Sequence, residues 1–229
     1  LITTDWYEPI VNGVVTSVLN LKRELEARGH EVKVLTLSET GASYKYNEVY
    51  YVKSMDLGYI YPNARAVLPY RNPYVGELID WEPDVVHSQC EFMTFQYAVK
   101  ISKKCGCPLL HTYHTIYEDY MHYLPGMLGR YTAGRKAGKK AVAEFSRTVL
   151  NKTDRVIAPT GKVKDILSTY EVKPEVDVIP SGIDLSKFKR TLTQEEKNLR
   201  KEALGIPKQN RVLVSVGRLA KEKNLEEIL

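Results

Sequence analysis

Short apolar runs of the kind that form buried β-strands alternate along this chain with segments of helical periodicity. Parallel strands need long connections, usually helices, so this alternation leaves few possible architectures. It predicts an α/β fold with a doubly wound parallel sheet of the Rossmann-like type. The predicted strands are residues 1–3, 31–37, 49–52, 84–88, 107–111, 155–160 and 176–180, the predicted helices are 14–29, 91–104, 128–152 and 162–170, and residues 59–73 are predicted to form a loop.

A second domain is predicted to begin near Lys189. We assign residues 1–189 to the first Rossmann-like domain and 190–229 to the start of another. Thr193 and Glu196 have the spacing of a capping box at a helix start, and residues 211–216 form the continuous apolar run of a buried parallel strand. Because the sequence begins without methionine inside a strand and ends in a helical segment, we expect a fragment whose second domain is truncated.

The bulk composition is that of a folded, soluble chain, with 43% hydrophobic and 27% charged residues. No apolar run approaches the roughly 20 residues of a spanning helix, and no signal peptide is present, so any membrane contact is expected to be peripheral. Cys90, Cys105 and Cys107 lack metal-site spacing and suggest free thiols in a reducing cytosol. The net charge of +5 suits an anionic ligand or surface without distinguishing nucleotide, nucleic acid and lipid headgroup.

Two histidines lie near the end of the predicted strand that contains Leu109 and Leu110. Side chains alternate between the faces of a strand, so only one of His111 and His114 can face a cleft beyond its carboxyl end, where α/β sheets bind ligands. We expect His114 to do so, because a neutral imidazole can hydrogen-bond a sugar hydroxyl or take up a proton. His111 is expected to be a packed strand residue.

The predicted helix 128–152 has an apolar face and an opposite cationic face. A basic amphipathic helix can lie on an anionic membrane, and a tyrosine-rich stretch that includes Tyr117 and Tyr120 directly precedes this one. The alternative is an ordinary core helix with a solvated charged face. We favour the membrane-binding interpretation. The cationic residues are Arg135, Lys136, Lys139, Lys140 and Arg147.

Residues 217–224 form a second candidate binding element, a loop between a predicted strand and a helix. Gly217 allows a tight turn, and the cations of Arg218 and Lys223 can converge on one anion beside the helix N-terminus. The loop is a plausible diphosphate clamp, although an ordinary charged loop would have the same composition. Gly13, at the start of the first predicted helix, would likewise allow backbone amides to approach an anion or a sugar.

Four motifs occur in order along the chain: residues 5–13 with the following valine, the strand end at His114, residues 179–184 (IPSGID), and residues 217–224 (GRLAKEKN). This series resembles that of the family-4 retaining glycosyltransferases, which have two Rossmann-like domains facing across a cleft (GT-B). Within the family, residues 109–152 are most similar to the diacylglycerol glucosyltransferases of bacteria. Those enzymes make glucosyl-diacylglycerol from UDP-glucose.

The resemblance implies a role for each candidate residue. Arg218 and Lys223 would hold the donor diphosphate, Gly13 would bring its backbone close to the donor phosphates or sugar, and His114 would bond a hydroxyl of the transferred sugar. Tyr117, Tyr120 and the basic helix would seat diacylglycerol at the cytoplasmic face of the membrane. UDP-sugar is a substrate, and no cofactor or metal is expected. The family's glutamate pair would lie beyond Leu229, so the chain alone is expected to be inactive.

Three alternatives remain open at this point. A glycosyltransferase of the same family could use another sugar donor or a non-lipid acceptor, since few contacts decide sugar identity. A non-catalytic protein could bind an anionic surface or nucleic acid through the basic helix, but the chain lacks a known nucleic-acid motif, and we expect no nucleic-acid partner. A structural scaffold would contain the same histidines merely as packed residues.

Overall fold

The computed structural model describes residues 1–58, 64–67, 72–118, 132–185, 188–217 and 225–227. The chain divides into two compact units, Leu1–Ile183 and Asp184–Leu229. No helix among the described residues is long and apolar enough to cross a membrane.

The first unit is built on an eight-stranded sheet with the order β10-β9-β8-β7-β1-β2-β4-β3. All neighbouring strands are parallel except β3, which pairs antiparallel with β4. The α/β, Rossmann-like prediction is therefore confirmed. The strands are β1 Ile2–Thr3, β2 Val34–Ser38, β3 Tyr44–Tyr46, β4 Val49–Lys53, β7 Val86–Ser88, β8 Leu109–Thr112, β9 Arg155–Ala158 and β10 Glu175–Val178, while β5 Met55–Asp56 and β6 Arg65–Ala66 form a separate pair.

The strand order reverses at β1, and this reversal positions the candidate site. From β1 the chain adds β2 and β4 on one side, then returns to place β7 and β8 on the other. Ile2 is paired with Val34 of β2 and with His87 of β7, and Ser88 is paired with His111. Ligands of doubly wound sheets bind at the carboxyl ends of the strands beside such a switch.

Helices surround the sheet and bury its apolar side chains. Phe95, Ala98 and Ile101 of α3 are fully buried in a cluster with β2, β7 and β8. Gly106 ends α3 with a φ of 68°, a left-handed conformation that glycine adopts without steric cost. The helices of this unit are α1 Gly13–Glu26, α2 Pro73–Asp80, α3 Met93–Cys105, α4 Thr132–Leu150 and α5 Gly161–Thr169.

The predicted strands and helices of this unit are found with shifts at their ends, but the loop prediction for residues 59–73 is partly wrong. Arg65–Ala66 is a strand, and Pro73 begins α2, whose N-cap is Asn72. The predicted helix 128–152 corresponds to Thr132–Leu150. Residues 59–63, 68–71 and 119–131 lie outside the described part of the chain.

The second unit confirms one prediction and corrects another. Thr193 and Glu196 form the predicted capping box at the start of α6 Gln194–Ala203, and a 3₁₀ turn occupies Leu225–Glu227. Residues 211–216 were predicted to be a buried strand, which is wrong: they form no strand, and Val216 is 93% exposed. A parallel strand needs neighbours to satisfy its backbone, and the described residues of this unit provide none.

Candidate functional site

The candidate site lies at the carboxyl ends of β1, β7 and β8, where the strand order reverses. Asp5 follows β1, residues 89–91 follow β7, and residues 113–117 follow β8. Because these three strands are adjacent and parallel, the polar side chains that follow them meet at one edge of the sheet. Most of the hydrogen-bonded residue pairs at this edge are more than 20 residues apart in sequence.

Asp5 fixes the start of α3 at this edge. Phe92, at the N-cap position, makes no capping bond; instead Asp5 accepts hydrogen bonds from the Thr94 amide (2.8 Å), the Thr94 hydroxyl (2.6 Å) and the Met93 amide (3.1 Å). Burial raises the pKa of Asp5, although these bonds oppose the rise. The buried carboxyl group therefore links β1 to the helix that begins beside the site.

His114, which follows β8, is hydrogen-bonded to Gln89, which follows the neighbouring strand β7. Its Nε2 lies 2.7 Å from Gln89 Oε1, and the Gln89 backbone amide donates to Thr3 O at 2.8 Å. Burial lowers the pKa of His114 to about 4, the neighbouring His111 contributes to the lowering, and Glu91 opposes it. His114 is therefore a neutral imidazole near pH 7. It follows β8 in a loop, since the strand ends at Thr112, and does not lie on the strand as the alternation argument assumed.

His111 is buried, as expected, and belongs to a hydrogen-bonded cluster. Its Nε2 is 3.2 Å from Glu91 Oε1, and the Tyr117 hydroxyl donates to the other oxygen of the same carboxylate. Glu91 is itself only 5% exposed, so the cluster encloses an acidic group, and this group acts electrostatically on His114. The Tyr117 phenol is held inward by this bond.

His87, Gln89 and Glu91 are site residues that the sequence reasoning did not single out. His87 Nε2 lies 2.8 Å from Thr112 Oγ1, and burial, together with the nearby His111 and His114, lowers its pKa to about 3. The signal was present in the sequence: these residues end or follow a predicted strand, as His111 and His114 do. Only the register between β7 and β8 brings the two sets together.

An exposed aromatic cluster borders the site. Phe92 and Phe145 stack with ring centroids 5.7 Å apart and are 39% and 38% exposed. Tyr117 meets both rings edge-on, at 5.8 and 6.3 Å. An apolar ligand would bury this surface favourably. We call Phe92, Tyr117 and Phe145 the aromatic patch.

The predicted cationic face of α4 is partly neutralised by ion pairs. Lys139 Nζ lies 2.7 Å from Glu118, and Arg147 contacts both Glu144 and Glu171. Lys140 is exposed and has no ion-pair partner within the described part of the chain. The backbone of Arg135 and Lys136 is helical, but their side chains lie outside the described residues.

Of the remaining predicted site residues, Gly13 lies within the described part of the chain. Gly13 is the first residue of α1, where Asn12 Oδ1 accepts from the Val15 amide at 2.9 Å. An added Cβ at Gly13 would meet no atom within 4 Å, so no neighbouring atom crowds this residue at the helix start. Tyr120, Arg218 and Lys223 lie outside the described residues.

Comparison with known proteins gives a consistent result. The chain is 36% identical to alpha-monoglucosyldiacylglycerol synthase of Streptococcus pneumoniae, over 99% of this chain and 50% of that protein. It is 33% identical to the synthase of the same name from Acholeplasma laidlawii, over 100% of this chain and 57% of that protein. A GDP-mannose-dependent alpha-mannosyltransferase of Mycolicibacterium smegmatis is 23% identical, over 99% of this chain and 58% of that protein.

The chain thus spans 50% to 57% of the two synthases. The family model described as Glycosyltransferase Family 4 matches residues 11–187, which include α1, most of the sheet and the candidate-site residues that follow β7 and β8. The match covers well over half of the 229 residues. The chain therefore belongs to glycosyltransferase family 4.

Proposed function

We propose that the protein containing this chain is a retaining glycosyltransferase that moves a hexose, glucose, from UDP-glucose to diacylglycerol at the cytoplasmic face of the membrane. The observation that carries the proposal is that a neutral, half-buried His114, bonded to Gln89, and the aromatic patch, joined to Glu91 through Tyr117, lie at the same edge of the sheet. A polar hydroxyl-binding group and an apolar surface side by side suit a sugar and a lipid. The two relatives named as monoglucosyldiacylglycerol synthases support the same pair of substrates.

On the donor side, the residues would act by binding and orientation. His114 would hydrogen-bond a hydroxyl of the transferred sugar, and the uncrowded helix start at Gly13 would admit the donor phosphates or sugar. Arg218 and Lys223 would hold the diphosphate and offset the charge that develops as the glycosidic bond breaks. In a retaining reaction with same-face attack, the leaving phosphate can take the acceptor proton, so no separate protein base is required.

On the acceptor side, the aromatic patch would contact the acyl region of diacylglycerol. Burying the exposed faces of Phe92 and Phe145 would favour binding, at about 25 cal/mol per Å² of apolar surface removed from water. The exposed ammonium group of Lys140 would attract anionic headgroups, each cation near such a surface contributing about 1 kcal/mol. Lys139 and Arg147 would contribute less, because Glu118, Glu144 and Glu171 already pair with them.

A second candidate is the same chemistry with another nucleotide sugar or a non-lipid acceptor. The similarity to a GDP-mannose-dependent mannosyltransferase supports it. A donor panel would separate the two candidates.

A transfer assay tests the proposal. The whole protein is mixed with vesicles of diacylglycerol and anionic lipid, radiolabelled UDP-glucose is added, and label is counted in the lipid fraction. We expect labelled glucosyl-diacylglycerol, strongly reduced by His114→Ala and by Phe92→Ser with Phe145→Ser. His30→Ala, which removes an exposed histidine of the same unit, is the matched control and should leave transfer unchanged.

Two other outcomes would redirect the assignment. Label transferred only from GDP-mannose, or only to a soluble acceptor, would favour the second candidate. RNA binding with a steep salt dependence, combined with no vesicle binding and no transfer, would favour a nucleic-acid-binding protein and would contradict the proposal.

A further inference from the structure

Gln89 is buried beside His114, and its side chain has two polar atoms, the acceptor Oε1 and the donor Nε2. The residue is 2% exposed, and its backbone is fixed by the bond from its amide to Thr3 O. Its Oε1 lies 2.7 Å from His114 Nε2. Its Nε2 has no hydrogen-bond acceptor among the described residues.

This arrangement determines which nitrogen of His114 carries the proton. Because a carboxamide oxygen can only accept, the contact of Gln89 Oε1 with His114 Nε2 is a hydrogen bond only when Nε2 carries the hydrogen. A neutral imidazole has one N–H and one lone pair, and the lone pair is then on Nδ1. His114 can therefore offer an acceptor at Nδ1 but no second donor.

Burial keeps the His114 ring in this neutral form, and three titratable groups lie near it. His111 of β8 and His87 of β7 are the neighbouring imidazoles, and Glu91, before α3, is the neighbouring carboxylate. The Glu91 carboxylate already accepts from the Tyr117 hydroxyl and lies within hydrogen-bonding distance of His111. No charged group hydrogen-bonds His114 among the described residues, so Gln89 is the side chain that sets its tautomer.

We propose that Gln89 is a positioning residue that holds His114 as the Nε2–H tautomer, so that Nδ1 accepts a hydrogen bond from a hydroxyl of the transferred sugar. The contact to the sugar rests on the proposed function, whereas the tautomer does not. The direction of the bond also specifies the ligand chemistry: a hydroxyl can donate to Nδ1, but a carbonyl or carboxylate oxygen cannot.

Nuclear magnetic resonance of ¹⁵N-histidine-labelled protein tests the tautomer directly. Two-bond ¹H–¹⁵N correlations distinguish the two neutral tautomers of each histidine, and His114→Ala identifies the His114 signals. We expect the Nε2–H form of His114 at neutral pH in the unmodified protein. Gln89→Leu should give a mixture of tautomers, while Gln96→Leu, the same substitution on the exposed face of α3, should change nothing. The Nδ1–H form in the unmodified protein, or an unchanged tautomer in Gln89→Leu, would overturn the proposal.

Gln89→Glu provides a second variant if Gln89→Leu fails to fold. The carboxylate still accepts from Nε2 but also stabilises the imidazolium, so the pKa of His114 should rise. Protonation removes the Nδ1 lone pair, and the acid limb of kcat/KM should therefore move to higher pH than in the unmodified protein. An unmoved acid limb, with a raised His114 pKa measured by the same spectra, would refute the sugar contact while leaving the tautomer assignment intact.

The role of Gln89 and the proposed function would be refuted by different results. A mixture of tautomers in Gln89→Leu, together with a fall in kcat/KM in proportion to the lost Nε2–H fraction, about twofold for an equal mixture, supports the whole proposal. A changed tautomer with unchanged kcat/KM refutes the role in sugar binding. Absence of transfer from every nucleotide sugar in the unmodified protein refutes the proposed function, and the spectra still decide the positioning of His114 by Gln89.

Discussion

Replacing Asp5 by alanine should destabilise the first unit more than an ordinary surface substitution does. Its carboxyl group accepts three hydrogen bonds from the start of α3, at 2.8, 2.6 and 3.1 Å, and Phe92 provides no alternative cap. Each hydrogen bond contributes about 1 kcal/mol net. Because alanine also removes the cost of burying the carboxyl group, we expect the free energy of unfolding to fall by about 2–3 kcal/mol. For a chain of this size that corresponds to a fall in Tm of roughly 5–10 °C.

Thermal and urea unfolding followed by circular dichroism would measure this loss. Asp56→Ala is the matched control: Asp56 is exposed, and its side chain accepts from the nearby Gly58 amide, so its replacement should cost no more than about 0.5 kcal/mol. Thr94→Val removes one of the three Asp5 bonds and should cost about 1 kcal/mol, but little further when Asp5 is already alanine. An Asp5→Ala loss equal to that of Asp56→Ala would refute the assignment of Asp5 as the anchor of α3.

Two further predictions concern pH and lipid binding. The pKa values of His87 and His114 are lowered in the folded state, so the unfolded chain binds protons first as the pH drops. The free energy of unfolding, measured with urea, should therefore fall between about pH 6.5 and pH 4. This dependence on pH should be less steep in His87→Gln, and an equally steep dependence would refute the lowered pKa of His87. Replacing Phe92 and Phe145 by serine should weaken co-sedimentation with diacylglycerol vesicles several-fold, whereas Tyr46→Ser, which removes an exposed ring of β3, should not; equal effects would contradict a role for the aromatic patch.

The architecture could be predicted from the sequence because the strands of a covered parallel sheet are rich in apolar residues, as Val34, Leu35 and Leu37 of β2 show. All five residues of β2 are buried, and such a run is visible without any knowledge of its neighbours. Helix α2 was missed because its eight residues are too few to show clear periodicity, although Asn72 followed by Pro73 is a recognisable helix start. The run at 211–216 shows the converse: apolar residues indicate a strand only where partner strands exist.

The candidate site could be predicted only in part, because its contacts are set by register between strands. The His114 position was identified from the chemistry of a strand end, but its partner Gln89 lies 25 residues earlier in sequence. No periodicity connects the two residues; the pairing of Ser88 with His111 does. Likewise, the cations of α4 were visible in the sequence, while the ion pair of Lys139 with Glu118 required the fold.

The central claim is that the edge around His114 holds the transferred sugar, and comparing UDP-glucose with UDP by titration calorimetry tests it most directly. In the whole protein, His114→Ala should weaken binding of UDP-glucose roughly five- to tenfold, the value of one hydrogen bond, and leave UDP binding unchanged. His30→Ala should alter neither. Equal weakening of both ligands, or no weakening of UDP-glucose, would contradict the account.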